Sequence, residues 1–275
     1  MKKLIPLALF LTGLWLCLTQ TAFAADTPSP RKPPEAQTAP TTTDDDNRDP
    51  AALAELKRAT DFLTGLKRFH VRSAIAYDVV QQDGRLLQFE RNGDIYIQRP
   101  DRFFADVNFD DGRRRQYWYD GKTMSLAEHS KKVHTQVKAP PTIDATLDML
   151  EKLLKEPQPL ADLFYSDLSP LERLALKADV VGDSMVNGRP CTHLSFCGKA
   201  VDWQLWVEKG ATPFIRKLVI TYREEPGMPQ SVALLDTWET PGRFADDLFR
   251  VNVPAGFQWI DVLVPAPLEK EGGQP

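Results

Sequence analysis

The chain is poor in the groups that most enzymes rely on. It has four histidines and three cysteines, which leaves few candidate bases, nucleophiles or soft metal ligands. No G-x-S-x-G elbow, H-E-x-x-H pair or glycine-rich phosphate loop occurs. With so few cysteines, disulfides are not the main source of stability. An excess of positive charge is also missing. The formal net charge is −4, which excludes broad electrostatic attraction to nucleic acid. Beyond Ala24 no stretch is apolar enough to cross a bilayer as a helix.

What is present begins with the leader MKKLIPLALFLTGLWLCLTQTAFAAD. Lys2 and Lys3 form a short basic region, an apolar run extends from Leu4 to Leu18, and Ala22-Phe23-Ala24 supplies small residues for cleavage. This is the anatomy of a secretory signal peptide, and the run is short for an uncleaved anchor. A lipoprotein signal ending at Cys17 would need a small residue just before it, and Leu16 stands there. The expected product is released after Ala24 into a bacterial periplasm, peripheral at most to a membrane. Residues 25–48, dominated by proline, threonine and charge, read as a disordered linker. Residues 49–264 then form the folded domain, and 265–275 a flexible tail.

Within the domain the hydrophobic period changes twice. Asp49 and Pro50 suit the start of a helix, and Leu53, Leu56, Phe62, Leu63 and Leu66 fall on one stripe. From Phe69 the period becomes two. Phe69, Val71, Ile75, Tyr77 and Val79 share one strand face, and Leu87, Phe89, Ile95 and Ile97 share the next, with a bulge expected at Gly93. Further short strands follow as a meander. Helical sequence interrupts them at 142–165, where Thr142 or Asp144 caps a helix bearing Leu147, Leu150, Leu153 and Leu154, Pro157 and Pro159 stop it, and a second short helix carries Leu160, Leu163 and Phe164. Strands then resume, with a tight hairpin expected at Asn187-Gly188. The fold class is mainly β with helices (α+β). It is an antiparallel sheet of ten or eleven strands that must curl at this width, with the leucine-bearing insert lying across its concave face and the first helix able to pack there too.

The segment RPCTHLSFC, residues 189 to 197, carries Cys191, His193, Ser195 and Cys197 at spacings of two. Alternation with Thr192, Leu194 and Phe196 makes it a strand. Along a strand the two cysteines stand about 20 Å apart, well beyond the roughly 7 Å that a disulfide tolerates, unless a bulge or turn breaks it. A zinc site would need two ligands beyond Cys191 and His193, and His129 and His134 have nothing to tie them there. No metal and no cofactor is expected. The acid pairs Asp110-Asp111 and Asp246-Asp247 read as solvated turn residues rather than a glycosidase pair. The run Arg113-Arg114-Arg115 reads as a hairpin end, with an anionic head group as the alternative.

Five motifs carry a family likeness: Arg99-Pro100-Asp101-Arg102-Phe103, Tyr119-Asp120-Gly121-Lys122, Val186-Asn187-Gly188-Arg189, Asp202-Trp203-Gln204-Leu205-Trp206 and Val253-Pro254-Ala255-Gly256-Phe257. With the leader, first helix, helical insert and later strands, residues 50–262 resemble a family of predicted periplasmic proteins of unknown function. That family is similar to the lipoprotein-carrier (LolA/LolB-like) superfamily. The resemblance implies an unclosed β-barrel capped by helices around an apolar cavity, which in the carriers takes lipoprotein acyl chains. By strand parity the lining of such a cavity would include Phe89, Ile95, Ile97, Phe103, Val107 and Trp203, with Leu150, Leu153 and Leu154 from the insert. The same residues packing on one another as a filled core is the alternative.

The leading expectation is therefore a non-catalytic periplasmic binder of lipid or lipoprotein acyl chains. An envelope scaffold with a protein partner comes next, and a hydrolase using Ser195 and His193 comes last. Expressed with its leader in a Gram-negative host, the chain should appear in the periplasmic fraction with Ala25 at its N-terminus. Intact-mass measurement checks this, and an uncleaved or Cys17-lipidated mass would overturn it.

Overall fold

Asp49 and Pro50 open the first helix as expected. The Asp49 carboxylate accepts the backbone N–H of Ala51 at 2.8 Å, and Pro50 leaves no N–H to satisfy. The computed structural model describes residues 47–154 and 160–261, and its compact unit starts at Asn47. Helix α1 (Pro50–Gly65) buries Ala52, Leu56, Ala59 and Leu63 along one stripe. Small and large residues alternate there, so the helix lies close against what it covers.

The meander that follows runs β1 (Arg68–Val80), β2 (Leu86–Gln98), β3 (Arg102–Phe109), β4 (Arg114–Tyr119), β5 (Thr123–Glu128) and β6 (Val133–Lys138). The insert then supplies α2 (Ile143–Leu154), a 3-10 turn (Ala161–Phe164) and α3 (Ser169–Leu174). Strands β7 (Lys177–Val186), β8 (Arg189–Cys197), β9 (Val201–Glu208), β10 (Ile215–Tyr222) and β11 (Gln230–Glu239) complete the meander, and β12 (Gln258–Trp259) ends it. All twelve form one sheet in the order β12-β6-β5-β4-β3-β2-β1-β11-β10-β9-β8-β7. Every neighbouring pair is antiparallel except β12 with β6. The outer strands β12 and β7 do not pair with each other, so the curled sheet stays open.

Three details differ from the sequence reading. Among the described residues the strand count is twelve, because the two residues of β12 are too few to show an alternation. Gly93 sits in regular register between Ser73 and Val107, and the bulges fall instead at Arg72/Ser73, Val180/Gly182 and Ile215/Lys217. At Gly93 the constraint is space, since a Cβ there would come within 3.1 Å of Ser73 Oγ. The insert's leucine stripe is the third. Helix α2 is capped by Thr142, whose Oγ1 accepts the N–H of Ala145 at 3.3 Å, but it buries only Ile143 and Thr146. Leu147, Leu150 and Leu154 pack on the core while staying partly exposed. The filling comes from α1 and from Leu160, Leu163 and Phe164 around the 3-10 turn. The expected stop at Pro157 and Pro159 lies outside the described residues.

Two of the motifs meet. Gly121, at φ +90, packs so closely on Asp101 that a Cβ would lie 2.9 Å from its carboxylate, which brings the Arg99–Phe103 and Tyr119–Lys122 segments together. The Asn187-Gly188 hairpin forms as expected, with both residues at positive φ between paired Val186 and Arg189.

Aromatic contacts tie α1 to the sheet. Phe62 meets Phe214 edge-on at 5.0 Å, Phe214 stacks on Trp238 at 5.1 Å, and Trp238 leans on Phe69 at 5.6 Å. Leu56→Ala should cost about 2–5 kcal/mol, because Leu56 is 1% exposed within the main cluster. Leu153→Ala, on a partly exposed position outside that cluster, should cost under about 1 kcal/mol. Urea unfolding of the two variants checks the contrast, and equal losses would place the insert rather than α1 at the centre of the core.

Candidate functional site: a trough open at one end

The register orders the concave face into rows. Phe69, Ile97, Phe103, Tyr119 and Met124 lie directly opposite one another across β1 to β5, and all are buried. The next row holds Val71, Ile95, Ala105, Tyr117 and Leu126. Then come Ser73, Gly93, Val107, Arg115 and Glu128, followed by Ile75, Arg91 and Phe109. Tyr77 opposite Phe89 and Val79 opposite Leu87 complete the series. On the other half of the sheet Leu194, Leu205 and Leu218 share a row, as do Phe196, Trp203 and Ile220.

The helices cover this face unevenly. Ile97, Phe103 and Trp203 are packed into the same cluster as α1 and the 3-10 turn. Ile95, Val107, Leu150 and Leu154 pack at its margin. Phe89 and Leu153 are partly exposed and stand outside it. The nine residues expected to line a cavity thus divide into a filled part and an uncovered part. Two cavities, of about 180 Å³ and about 320 Å³, lie elsewhere. The smaller lies between α1 and the start of α3, and the larger lies between β3–β4 and residues 245–252. Neither is lined by any of the nine.

Toward the uncovered end the wall stays apolar but gains polar groups. Val79 is 39% exposed and Leu87 41%, and the Tyr77 and Phe89 rings lie 6.1 Å apart beside them. The Arg91 guanidinium stands 5.4 Å over the Tyr77 ring. Tyr222 closes β10 on the same face as Ile220. Burial pushes its phenol up to about 12, with the Asp162 and Glu225 carboxylates adding to the shift and Arg91 opposing it. Asp162, on the 3-10 turn, keeps contact with solvent. The surrounding protein nevertheless strips much of its hydration, and with the Glu151 carboxylate this pushes its carboxyl up to about 6.

These polar groups were not among the sequence candidates. Arg91 has a signal, since it shares parity with Phe89 and Ile95 on an otherwise apolar face. Tyr222 has only its place at the end of an apolar strand. Asp162 has none, because nothing in the sequence says which polar residue of the insert faces the sheet.

Cys191, His193, Ser195 and Cys197, which first suggested chemistry, lie on the opposite, convex face. Cys191 and Cys197 are free thiols. Cys191 is buried with Val186, Trp206 and Val219, and burial, aided by the Glu208 carboxylate, pushes its thiol up, which disfavours the reactive thiolate. His193 stacks on Trp206 at 3.9 Å and meets Gln204 Oε1 at 2.9 Å. Among the described residues no hydrogen bond joins it to Ser195, and no group of three or more His, Cys, Asp or Glu could hold a metal. The arginine run is engaged in pairs: Arg113 with Asp111 at 2.6 Å, Arg114 with Asp106 at 2.5 Å and Arg115 with Glu128 at 2.8 Å.

Asp162 yields a pH prediction. Its folded value of about 6 exceeds its ordinary 3.8. The native state is therefore favoured by the neutral form, fully below about pH 4, and that contribution is lost as the pH rises to about 6. Asp162→Asn should gain thermal stability over the parent progressively between about pH 4 and pH 6, with a constant gap above about pH 7. Melting curves across this range check it, and a gap independent of pH would contradict the environment described.

Solved structures similar to this chain include LprF from Mycobacterium bovis, 13% identical, covering 76% of this chain and 98% of that one with a TM-score of 0.47. Lipoprotein LppX of Mycobacterium tuberculosis is 14% identical, covering 75% of this chain and all of its own with a TM-score of 0.43. No curated protein matches the chain in sequence. A family model, described as predicted periplasmic protein (DUF2092), matches residues 52–263, and the chain belongs to that family.

Proposed function

We propose that this protein works in the periplasm as a non-catalytic binder of an amphiphile, a lipid or the acyl chain of a lipoprotein, held at the uncovered end of the concave face. One observation carries this reading. The apolar wall does not stop where the helices stop. It continues through Tyr77, Phe89, Val79 and Leu87 into solvent, with Arg91, Tyr222 and Asp162 beside it. Each methylene laid on such a wall contributes about 0.8 kcal/mol, and the adjacent polar groups suit a head group that must stay hydrated or hydrogen-bonded. Holding a chain this way needs no cofactor. The description of the family supports the compartment, while the leader expected to deliver the chain lies outside the described residues.

A second reading is favoured by the packing of Ile97, Phe103 and Trp203. These side chains are spent on the core, which suits an envelope scaffold that acts through its surface on a protein partner. Mass spectrometry of organic extracts of the purified protein separates the two. An amphiphile at near-stoichiometric amount is expected, together with uptake of a fluorescent fatty acid that Phe89→Asp lowers at least tenfold without changing the melting temperature. Neither extractable amphiphile nor uptake, with a protein captured by cross-linking in cells, would replace the first reading with the second.

A further inference from the structure

In an antiparallel meander every second connection returns to the same end. The turns at 81–85, 110–113, 129–132, 198–200 and 223–229 therefore share one end of this sheet with the start of β7. Backbone hydrogen bonds join neighbours around it. The N–H of Leu176 donates to Cys197 O at 2.8 Å, that of Arg223 to Ala200 O at 2.9 Å, that of His129 to Arg114 O at 2.9 Å and that of Gln258 to Lys132 O at 2.8 Å. Gly227 lies against Leu86, where an added Cβ would fall 3.3 Å from the leucine methyl. The result is a rim around the mouth of the trough.

Several of the large apolar side chains left exposed among the described residues stand on this rim. Leu176 is 63% exposed, Met228 57%, Trp259 51% and Leu86 40%. Exposed lysines alternate with them: Lys131 and Lys132 in the turn next to Trp259, and Lys199 between β8 and β9. Acids are present too, and several are answered locally. Asp83 pairs with Arg85 at 2.6 Å, Asp111 with Arg113 at 2.6 Å and Asp202 with Arg223 at 3.4 Å, while Asp110, Glu224 and Glu225 also lie here.

We propose that this rim seats the protein on a lipid bilayer, with its aliphatic tips and Trp259 entering the boundary between head groups and acyl chains and the trough opening onto the membrane. A protein partner needs a contiguous apolar patch to form the centre of an interface. These side chains are instead spread around an opening, and a fluid bilayer accepts dispersed anchors. Tryptophan at the head-group level and lysines whose stems lie along apolar surface are the residue types that such a boundary favours. Binding then scales with the apolar area that enters the boundary.

This inference goes beyond the amphiphile seat and does not depend on it. The test is flotation of the mature full chain, stripped of lipid, with vesicles of phosphatidylethanolamine and phosphatidylglycerol or of phosphatidylcholine alone. The parent should float with both. The combined variant Leu86→Ser, Leu176→Ser, Met228→Ser should lose about tenfold or more in bound fraction and keep the parent melting temperature. Should it unfold, Leu176→Asp alone, at the most exposed tip, should lower binding severalfold. Met185→Ser, 63% exposed but beside the Asn187-Gly188 turn at the opposite end, should leave flotation unchanged. A parent that stays dense with both vesicle types, a folded rim variant that floats like the parent, or an equal loss from Met185→Ser would overturn the proposal. Docking without fatty-acid uptake would uphold the rim and defeat the seat, and uptake without docking would do the reverse.

Discussion

A sheet this wide has one face that must be taken out of water, and the way α1 meets that face organises the molecule. The helix brings an alanine–leucine stripe to the inward side chains of β7, β8 and β9. At roughly 25 cal/mol per Å² of apolar surface removed, this contact outweighs the local interactions along the chain. The remaining half of the face is reached by the insert, and Phe69 links the two coverings because its ring touches both Phe164 and Trp238. Register then follows, since a slip of one residue on any strand would turn its buried set outward.

The covering is incomplete, and the chemistry of the molecule lies where it ends. Helices α1 and α2 and the 3-10 turn protect the rows led by Phe69 and Val71, while the rows led by Tyr77 and Val79 reach solvent. Between these regions stand an arginine, a tyrosine and an acid whose hydration is reduced by the surrounding walls. Polar groups set in an apolar concavity are costly to folding alone, which is why their position is informative about a ligand.

The convex face shows how readily residue type misleads. Cysteine, histidine and serine at spacings of two look like a site, but on a strand that spacing means a shared face. Cys191 fills a small satellite cluster, and His193 is clamped between Trp206 and Gln204. The three successive arginines, with Arg115 on the concave side, look like an anion site and are instead distributed among Asp111, Glu128 and Asp106.

The alternation of Phe69, Val71, Ile75, Tyr77 and Val79, the cap at Asp49 and the turn at Asn187-Gly188 were legible because each depends on a few adjacent residues. The buried identity of Ile97, Phe103 and Trp203 followed from parity alone. What the sequence by itself determined is therefore the longer elements, the face each strand presents and the class of fold. Which helix fills the trough, where the bulges fall, and that Arg91, Tyr222 and Asp162 share one end were decided only in the tertiary structure. These depend on side chains far apart in the chain competing for the same concave volume, and no local period records the outcome of that competition.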